Sequence, residues 1–199
     1  IDKAVQRDVL TDLPCINSSS LKGAVNEYCA RNTEVDLLKV FGSDKINKSK
    51  GSQKGSAIFF DAKLLYFPVQ DEANLFHYAT SDAVIAQLKD RLSVFGLSVD
   101  ETELRSVLVP DHGVEVMSAA AFGEMCKDEN LPVIARNVLE NGRSANLWYE
   151  QVIPAETVFF AVIQEEGEEL SNALDGEIIQ IGANATIGYG YCRFTKVAL

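Results

Sequence analysis

Apolar residues at Leu21, Ala24, Val25, Tyr28 and Cys29 recur at i, i+3, i+4, i+7 and i+8, one face of an α-helix, and Asn17-Ser18-Ser19-Ser20 ahead of them offers several N-caps. The spacing predicts an amphipathic helix with a polar start, ending near Arg31. Val35, Leu38 and Phe41 continue as a short helical turn that Gly42 closes. Residues 43–56 then lose all apolar periodicity and carry Lys45, Lys48, Lys50 and Lys54 among serines and glycines, which predicts a loop. The stretch 57–69 is dense in β-branched and aromatic residues and predicts a buried strand. A second helix is expected over 81–95, with Val84, Ile85, Leu88, Leu92 and Phe95 on one face and Gly96 as its stop. Residues 133–138 and 145–152 predict a hairpin about Asn141-Gly142. Beyond it come a strand over 157–163, a short helix over 168–174 and a strand over 177–181 that enters a glycine-rich turn at Gly182, Gly188 and Gly190. Periodicity is weakest over 97–131, where an insertion is expected.

Two helices, each followed by strands, predict an α+β chain of ferredoxin-like (RRM-like) type, an antiparallel sheet with helices on one face. The 199 residues with 47% hydrophobic content suit one domain, 1–199, with inserted thumb or loop regions. No apolar run approaches the length of a membrane span and nothing resembles a signal peptide, so a soluble, cytoplasmic protein is expected. Cys15, Cys29, Cys126 and Cys192 are widely separated, which indicates neither a zinc site nor a disulfide framework. The net charge of −11 argues at first against a nucleic-acid partner. Its distribution changes that picture: residues 1–63 hold ten Lys and Arg against eight Asp and Glu, the remainder eight against twenty-one. Basic character sits with the N-terminal motifs, and the acidic remainder reads as a solvated outer face, partly a surface for basic neighbours.

Candidate chemistry follows from two remote segments. The start of the first helix offers backbone N–H groups, serine hydroxyls including Ser19, and the Lys22 ammonium, all suited to an anionic oxygen. An ordinary capped helix accounts for the same residues. No glycine stands four residues before a Gly-Lys pair, so a Walker A loop and nucleotide hydrolysis are not supported. The turn over 182–190 admits positive φ and close approach of another backbone, or serves only a local strand connection. His77 and His112 are the only histidines, and nothing in the sequence joins them as a general acid–base pair. Asp2 and Asp8 bracket Gln6-Arg7 just ahead of the polar-capped helix.

The segments Asp2-Lys3-Ala4-Val5-Gln6-Arg7-Asp8, Ser19-Ser20-Leu21-Lys22-Gly23-Ala24, Leu147-Trp148-Tyr149-Glu150 and the glycine-rich end, in this order, resemble the RAMP superfamily of CRISPR proteins, and more narrowly the backbone subunits of the type III-B (Cmr) RNA-targeting complex. The resemblance implies an RRM-like core whose first strand precedes Asp2, so that a native N-terminal strand is expected to be missing ahead of Ile1. It implies a subunit that binds guide crRNA as a filament, self-associates beside other Cmr subunits, and cleaves complementary single-stranded target RNA at regular intervals. A catalytically silent RAMP scaffold that only holds crRNA is the alternative; a protein-interaction module using the acidic face is a third. The family's cleavage aspartate maps onto Asp2, as a general base or as the ligand of a divalent cation, Mg or Mn. Guide-RNA contacts are expected from Gln6, Arg7, Ser19, Lys22, Gly182 and Asn184, with the Lys-rich loop either an RNA-contacting flap or a solvated connector. Ala183 adds a methyl where the family pattern has a second glycine. Trp148 and Tyr149 are expected in the core or at a subunit interface rather than stacked on bases.

Overall fold

The computed structural model describes residues 2–43, 53–109 and 112–197. Most of the expected lysine-rich loop, 44–52, lies outside the described residues. In chain order the elements are β1 (Cys15–Ile16), α1 (Ser18–Asn32), α2 (Leu37–Phe41), β2 (Ile58–Phe59), β3 (Ala62–Asp71), β4 (Leu75–Ser81), α3 (Asp82–Ser93), α4 (Glu101–Leu108), β5 (Val114–Met117), α5 (Ala119–Met125), β6 (Val133–Glu140), β7 (Arg143–Gln151), β8 (Val158–Phe160), β9 (Ile163–Gln164), α6 (Glu169–Leu174), β10 (Ile178–Gln180) and β11 (Tyr191–Arg193). They fall into two compact units, each built from two stretches of chain.

The first unit comprises Ile1–Cys15 and Lys63–Phe160. Its long strand β3 pairs antiparallel with β8 through its first half and with β4 through its second. Leu64, Leu65 and Tyr66 are buried in succession, so both faces of this strand are covered and no alternation shows in the sequence. Strand β5 runs parallel to β4. The sheet is therefore mixed rather than antiparallel throughout, because the β4–α3–α4–β5 connection is a crossover that returns the chain in its original direction. The stretch 97–131 holds α4, β5 and α5, too short for their periodicity to stand out. Helix α3 begins as expected: Ser81 Oγ accepts the Val84 N–H, and Val84, Ile85, Leu88 and Leu92 are buried.

Strands β6 and β7 form the expected hairpin as a two-stranded sheet, its turn supplied by Asn141 at φ 51° and Gly142 at φ 77°. Leu139 is 64% exposed and Leu147 52%, so the hairpin's far end is apolar without being covered in this chain.

The second unit comprises Ile16–Ala62 and Ala161–Leu199. Leu21, Val25 and Cys29 form the buried stripe of α1, which packs against α2, β2 and β10. Phe41 and Phe59 stack at 5.9 Å, and Gly42 closes α2 at φ 87°. The strand expected over 57–69 is two strands, because the chain breaks between them to deliver Asp61, whose Oδ1 accepts the Ser18 N–H at 2.8 Å and caps α1. The expected strand over 157–163 likewise divides into β8, which serves the first unit, and β9, which pairs with β2.

Within the first unit the Lys63 ammonium meets the Asp8 carboxylate, both nearly buried. Burial alone would raise the Asp8 carboxyl, but Lys63 and the Thr11 and Leu10 N–H groups outweigh it and bring it down from 3.8 to about 2. Because the folded value is depressed, the stabilisation is complete above the ordinary value of 3.8 and is lost as pH falls toward about 2. Asp8→Asn removes the carboxylate that the nearly buried Lys63 ammonium meets and is expected to cost about 3 kcal/mol in urea unfolding at neutral pH. The same variant flattens the acid limb of stability between those two pH values; an unchanged acid limb would remove the pair from the account.

Candidate functional site

The N-terminal segment is laid along β7. The Asp2 N–H donates to the Tyr149 carbonyl at 2.9 Å, and the Tyr149 N–H donates back to Asp2 Oδ2 at 2.8 Å. The Lys3 carbonyl accepts the Gln151 N–H, and the Val5 N–H donates to Gln151 Oε1. Lys3 Nζ and Trp148 Nε1 both donate to Glu150 Oε1, at 2.8 and 2.7 Å, on a carboxylate side chain that is 5% exposed as a residue. These bonds leave Asp2 exposed, with one carboxylate oxygen tied to the backbone of β7. Half-buried Trp148 is engaged with Glu150 and Lys3, whereas Tyr149 is 45% exposed.

Arg7 ends this segment with its fork already committed. Its Nε and Nη2 donate to Asp128 Oδ1, Nη2 also to the Cys126 carbonyl, and Nη1 to the Asp12 carbonyl. Arg7, followed by the Gln151 amide, holds the Asp128 carboxyl below the usual carboxylate range. The Gln6 carbonyl accepts the Cys15 N–H, and its side chain lies on the exposed surface. Asp2, Gln6 and Arg7 thus sit together on one segment of the first unit, with Asp2 tied to Tyr149 and Arg7 to Cys126 and Asp128, partners more than a hundred positions away that sequence spacing cannot reveal.

The second unit holds the other expected residues. Exposed Ser19 and half-buried Lys22 line a shallow cleft with Ser18, Lys54, Gly55 and Phe59. The cap comes from Asp61 rather than Asn17, so one of the α1 N–H donors expected for an anion is already taken. Lys54, at the described edge of the lysine-rich loop, joins this cleft through the Gly42–Lys54 bridge, a long-range pairing with no sequence signal. Helix α1 packs on β10, the strand leading into the glycine-rich turn, and Tyr28 Oη donates to Glu177 Oε2 at 2.6 Å. That hydrogen bond pushes the Tyr28 phenol up to about 12.

In the turn, Gly182 stands at φ 90° and Asn184 in the left-handed region at φ 66°. Ala183 is not among the positive-φ residues, so its methyl is accommodated where the family pattern has glycine. Gly190, at φ 76°, is the tight position: a Cβ there would lie 2.0 Å from the Ile181 carbonyl oxygen.

The histidines stand elsewhere. His77 Nε2 lies 3.3 Å from Glu115 Oε2, and His112 stacks on Phe76 with ring centroids 4.3 Å apart. Among the described residues no three His, Cys, Asp or Glu side chains gather as a metal cluster. Asp2 keeps one carboxylate oxygen outside its bond to Tyr149, a hard donor of the kind a divalent cation takes.

A mixed sheet carrying helices, a two-stranded hairpin and a glycine-rich strand connection place the chain among ferredoxin-like α+β proteins. It belongs to the RAMP superfamily, whose family model matches residues 1–193. The CRISPR system Cmr endoribonuclease Cmr4 of Pyrococcus furiosus is 25% identical, the match covering 98% of this chain and 88% of that protein. Oligomeric Cmr4 from Pyrococcus furiosus superposes with a TM-score of 0.74 at 21% identity, covering 98% of this chain and 91% of that one. A chain of a type III-B Cmr-beta complex bound to cognate target RNA superposes at 0.69 with 18% identity, covering 94% and 86%.

Gly190→Ala meets both the 2.0 Å contact and an unfavourable φ. It is expected to cost about 2 kcal/mol or more in thermal or urea unfolding, whereas Gly23→Ala, with nothing within 4 Å of the added methyl, is expected to stabilise α1 by roughly 1 kcal/mol.

Proposed function

We propose that this chain is the backbone subunit of a type III-B CRISPR effector, binding guide crRNA as a filament and cleaving complementary target RNA, with Asp2 as the cleavage-site carboxylate. The observation that carries the proposal is the placement of the Asp2 carboxylate on the β7 backbone, at the root of a hairpin that projects apolar side chains. Support also comes from the RAMP family match and from a relative named as a Cmr endoribonuclease. The oligomeric and target-RNA-bound relatives support self-association, other Cmr subunits and target RNA as partners. Among the described residues no helix is long and apolar enough to cross a membrane.

The chemistry follows from the geometry. Apolar residues of the hairpin displace a target nucleotide from its stack, and the unstacked ribose turns its 2′-hydroxyl in line with the adjacent phosphorus. The 2′-oxygen bonds to phosphorus as the bond to the 5′-oxygen breaks, leaving a 2′,3′-cyclic phosphate and a 5′-oxygen that takes a proton from water to become a 5′-hydroxyl. Asp2, with its Oδ2 held by the Tyr149 N–H, presents its other oxygen to take the 2′ proton. In the alternative role that oxygen, instead of taking the proton, would hold a divalent cation, Mg or Mn, which would supply charge neutralisation at the phosphate. Ser19, Lys22, Gly182 and Asn184 take guide phosphates and sugars without reading sequence. Gln6 lies exposed for the same purpose, and Arg7 contributes by fixing the segment that bears Asp2.

Asp2→Asn keeps an acceptor for the Tyr149 N–H but removes the charge. In the assembled complex it is expected to slow target cutting by about 10²–10⁴-fold with guide binding unchanged; unaltered cutting would leave only the scaffold function. Lys22→Gln is expected to lower the slope of log affinity for guide RNA against log salt by about 0.7, and an unchanged slope would take Lys22 off the phosphates.

A further inference from the structure

In the second unit the chain passes itself at Gly42 and Gly55 so closely that neither position has room for a side chain. A Cβ on Gly42, which stands at φ 87°, would lie 2.7 Å from the Gln53 carbonyl oxygen and 2.7 Å from the Gly55 nitrogen. One on Gly55 would lie 2.4 Å from the Val40 carbonyl oxygen. Hydrogen bonds run along the crossing. The Ser43 N–H donates to the Gln53 carbonyl at 3.0 Å, the Ser56 N–H to the Lys39 carbonyl at 2.9 Å and the Ala57 N–H to the Val40 carbonyl at 3.1 Å. The backbone of Lys39, in α2, is thereby fixed beside that of Lys54, at the described edge of the lysine-rich loop.

Lys39 and Lys54 line a cleft of about 420 Å³ with Gln53, Ser56 and Glu166. Lys54, Gly55 and Ile58 also line the cleft of Ser19 and Lys22, so the two clefts run together. Lys22, Lys54 and Lys39 thus follow one another along one surface, and among the described residues no carboxylate forms an ion pair with any of them. Ammonium groups gathered without such partners attract an anion. Glu166, exposed, is the carboxylate lining the Lys39 cleft. Two ammonium groups against one carboxylate leave a single positive charge. That matches a phosphodiester within a strand, which carries one negative charge, better than a terminal phosphate, which carries nearly two. Gln53 and Ser56 add neutral donors of the kind that meet phosphate and sugar oxygens.

We propose that the cleft of Lys39 and Lys54 is a second guide-phosphate site, continuous with the one at Ser19 and Lys22, so that each copy of the chain holds a further phosphodiester of the same strand. This rests on the guide-binding function proposed above and carries the contact past α1.

The test measures the affinity of the full chain in its assembled complex for guide RNA across a range of salt concentrations. Lys39→Gln and Lys54→Gln are each expected to lower the slope of log affinity against log salt by about 0.7 for every copy of the chain on the guide, and Lys54→Arg to keep it. Both lysines are exposed, so the glutamine variants keep the fold. Glu166→Gln removes the like charge from the same cleft and is expected to act in the opposite direction, tightening guide binding by about threefold at low salt. A slope that falls for Lys22→Gln but stays at the wild-type value for Lys39→Gln and Lys54→Gln would overturn the second site and leave guide binding intact. Unchanged affinity in Glu166→Gln would also overturn it. Weakened assembly of the complex with an unchanged slope would assign the cleft to an acidic protein neighbour, a third contrary result. A wild-type complex that fails to hold guide RNA would overturn guide binding itself, which is a distinct outcome.

Discussion

The reciprocal hydrogen bonds between residues 2–5 and β7 are the constraint on which the functional account depends. A carboxylate on an irregular segment is ordinarily free to sample many positions; here the Asp2 N–H and carboxylate both bond to Tyr149, and the next residues are tied to Glu150 and Gln151. Each bond is modest alone, about 1 kcal/mol net, but together they register the segment against a strand that is itself in register with β6. The Arg7 fork closes the far end of the segment on Asp128 and on two carbonyls. Arginine suits that task because its planar donors engage several acceptors at once.

The second unit solves a different problem. A sequence-independent RNA contact needs donors that face outward from rigid backbone, and glycines alone give freedom rather than direction. Within the turn, the Gln180 carboxamide donates to the Gly182 and Tyr189 carbonyls, and the backbone fits closely at Gly190. The packing of α1 on β10 connects the serine-bearing helix to the strand that carries this turn. The acidic balance of the chain, −11 overall, bears least on the first 63 residues, where the helix and the N-terminal segment lie.

Local periodicity made α1, α2, α3 and the β6–β7 hairpin legible, because each declares itself within a few residues through an i, i+4 stripe, a closing glycine or an Asn-Gly turn. Strand β4 was not legible: Thr80 and Ser81 are polar yet buried at its end, so the segment carries neither alternation nor an apolar run. The break at Phe60-Asp61 was hidden for a different reason, since Asp61 serves a helix more than forty residues earlier. The same limit applies to the site. Asp2 stood out only through its resemblance to a family motif, and nothing near Arg7 in sequence announces Asp128 as its partner.

The most direct measurement is the structure of the assembled complex with guide and a target RNA whose scissile ribose is 2′-deoxy, so that cutting cannot occur. The account predicts the free Asp2 oxygen within hydrogen-bond reach of the missing 2′-oxygen position, about 3 Å, or one intervening water or cation away, with the Tyr149 N–H still on its other oxygen. An Asp2 carboxylate more than roughly 10 Å from the scissile phosphate, well beyond what one bridging group spans, would contradict it.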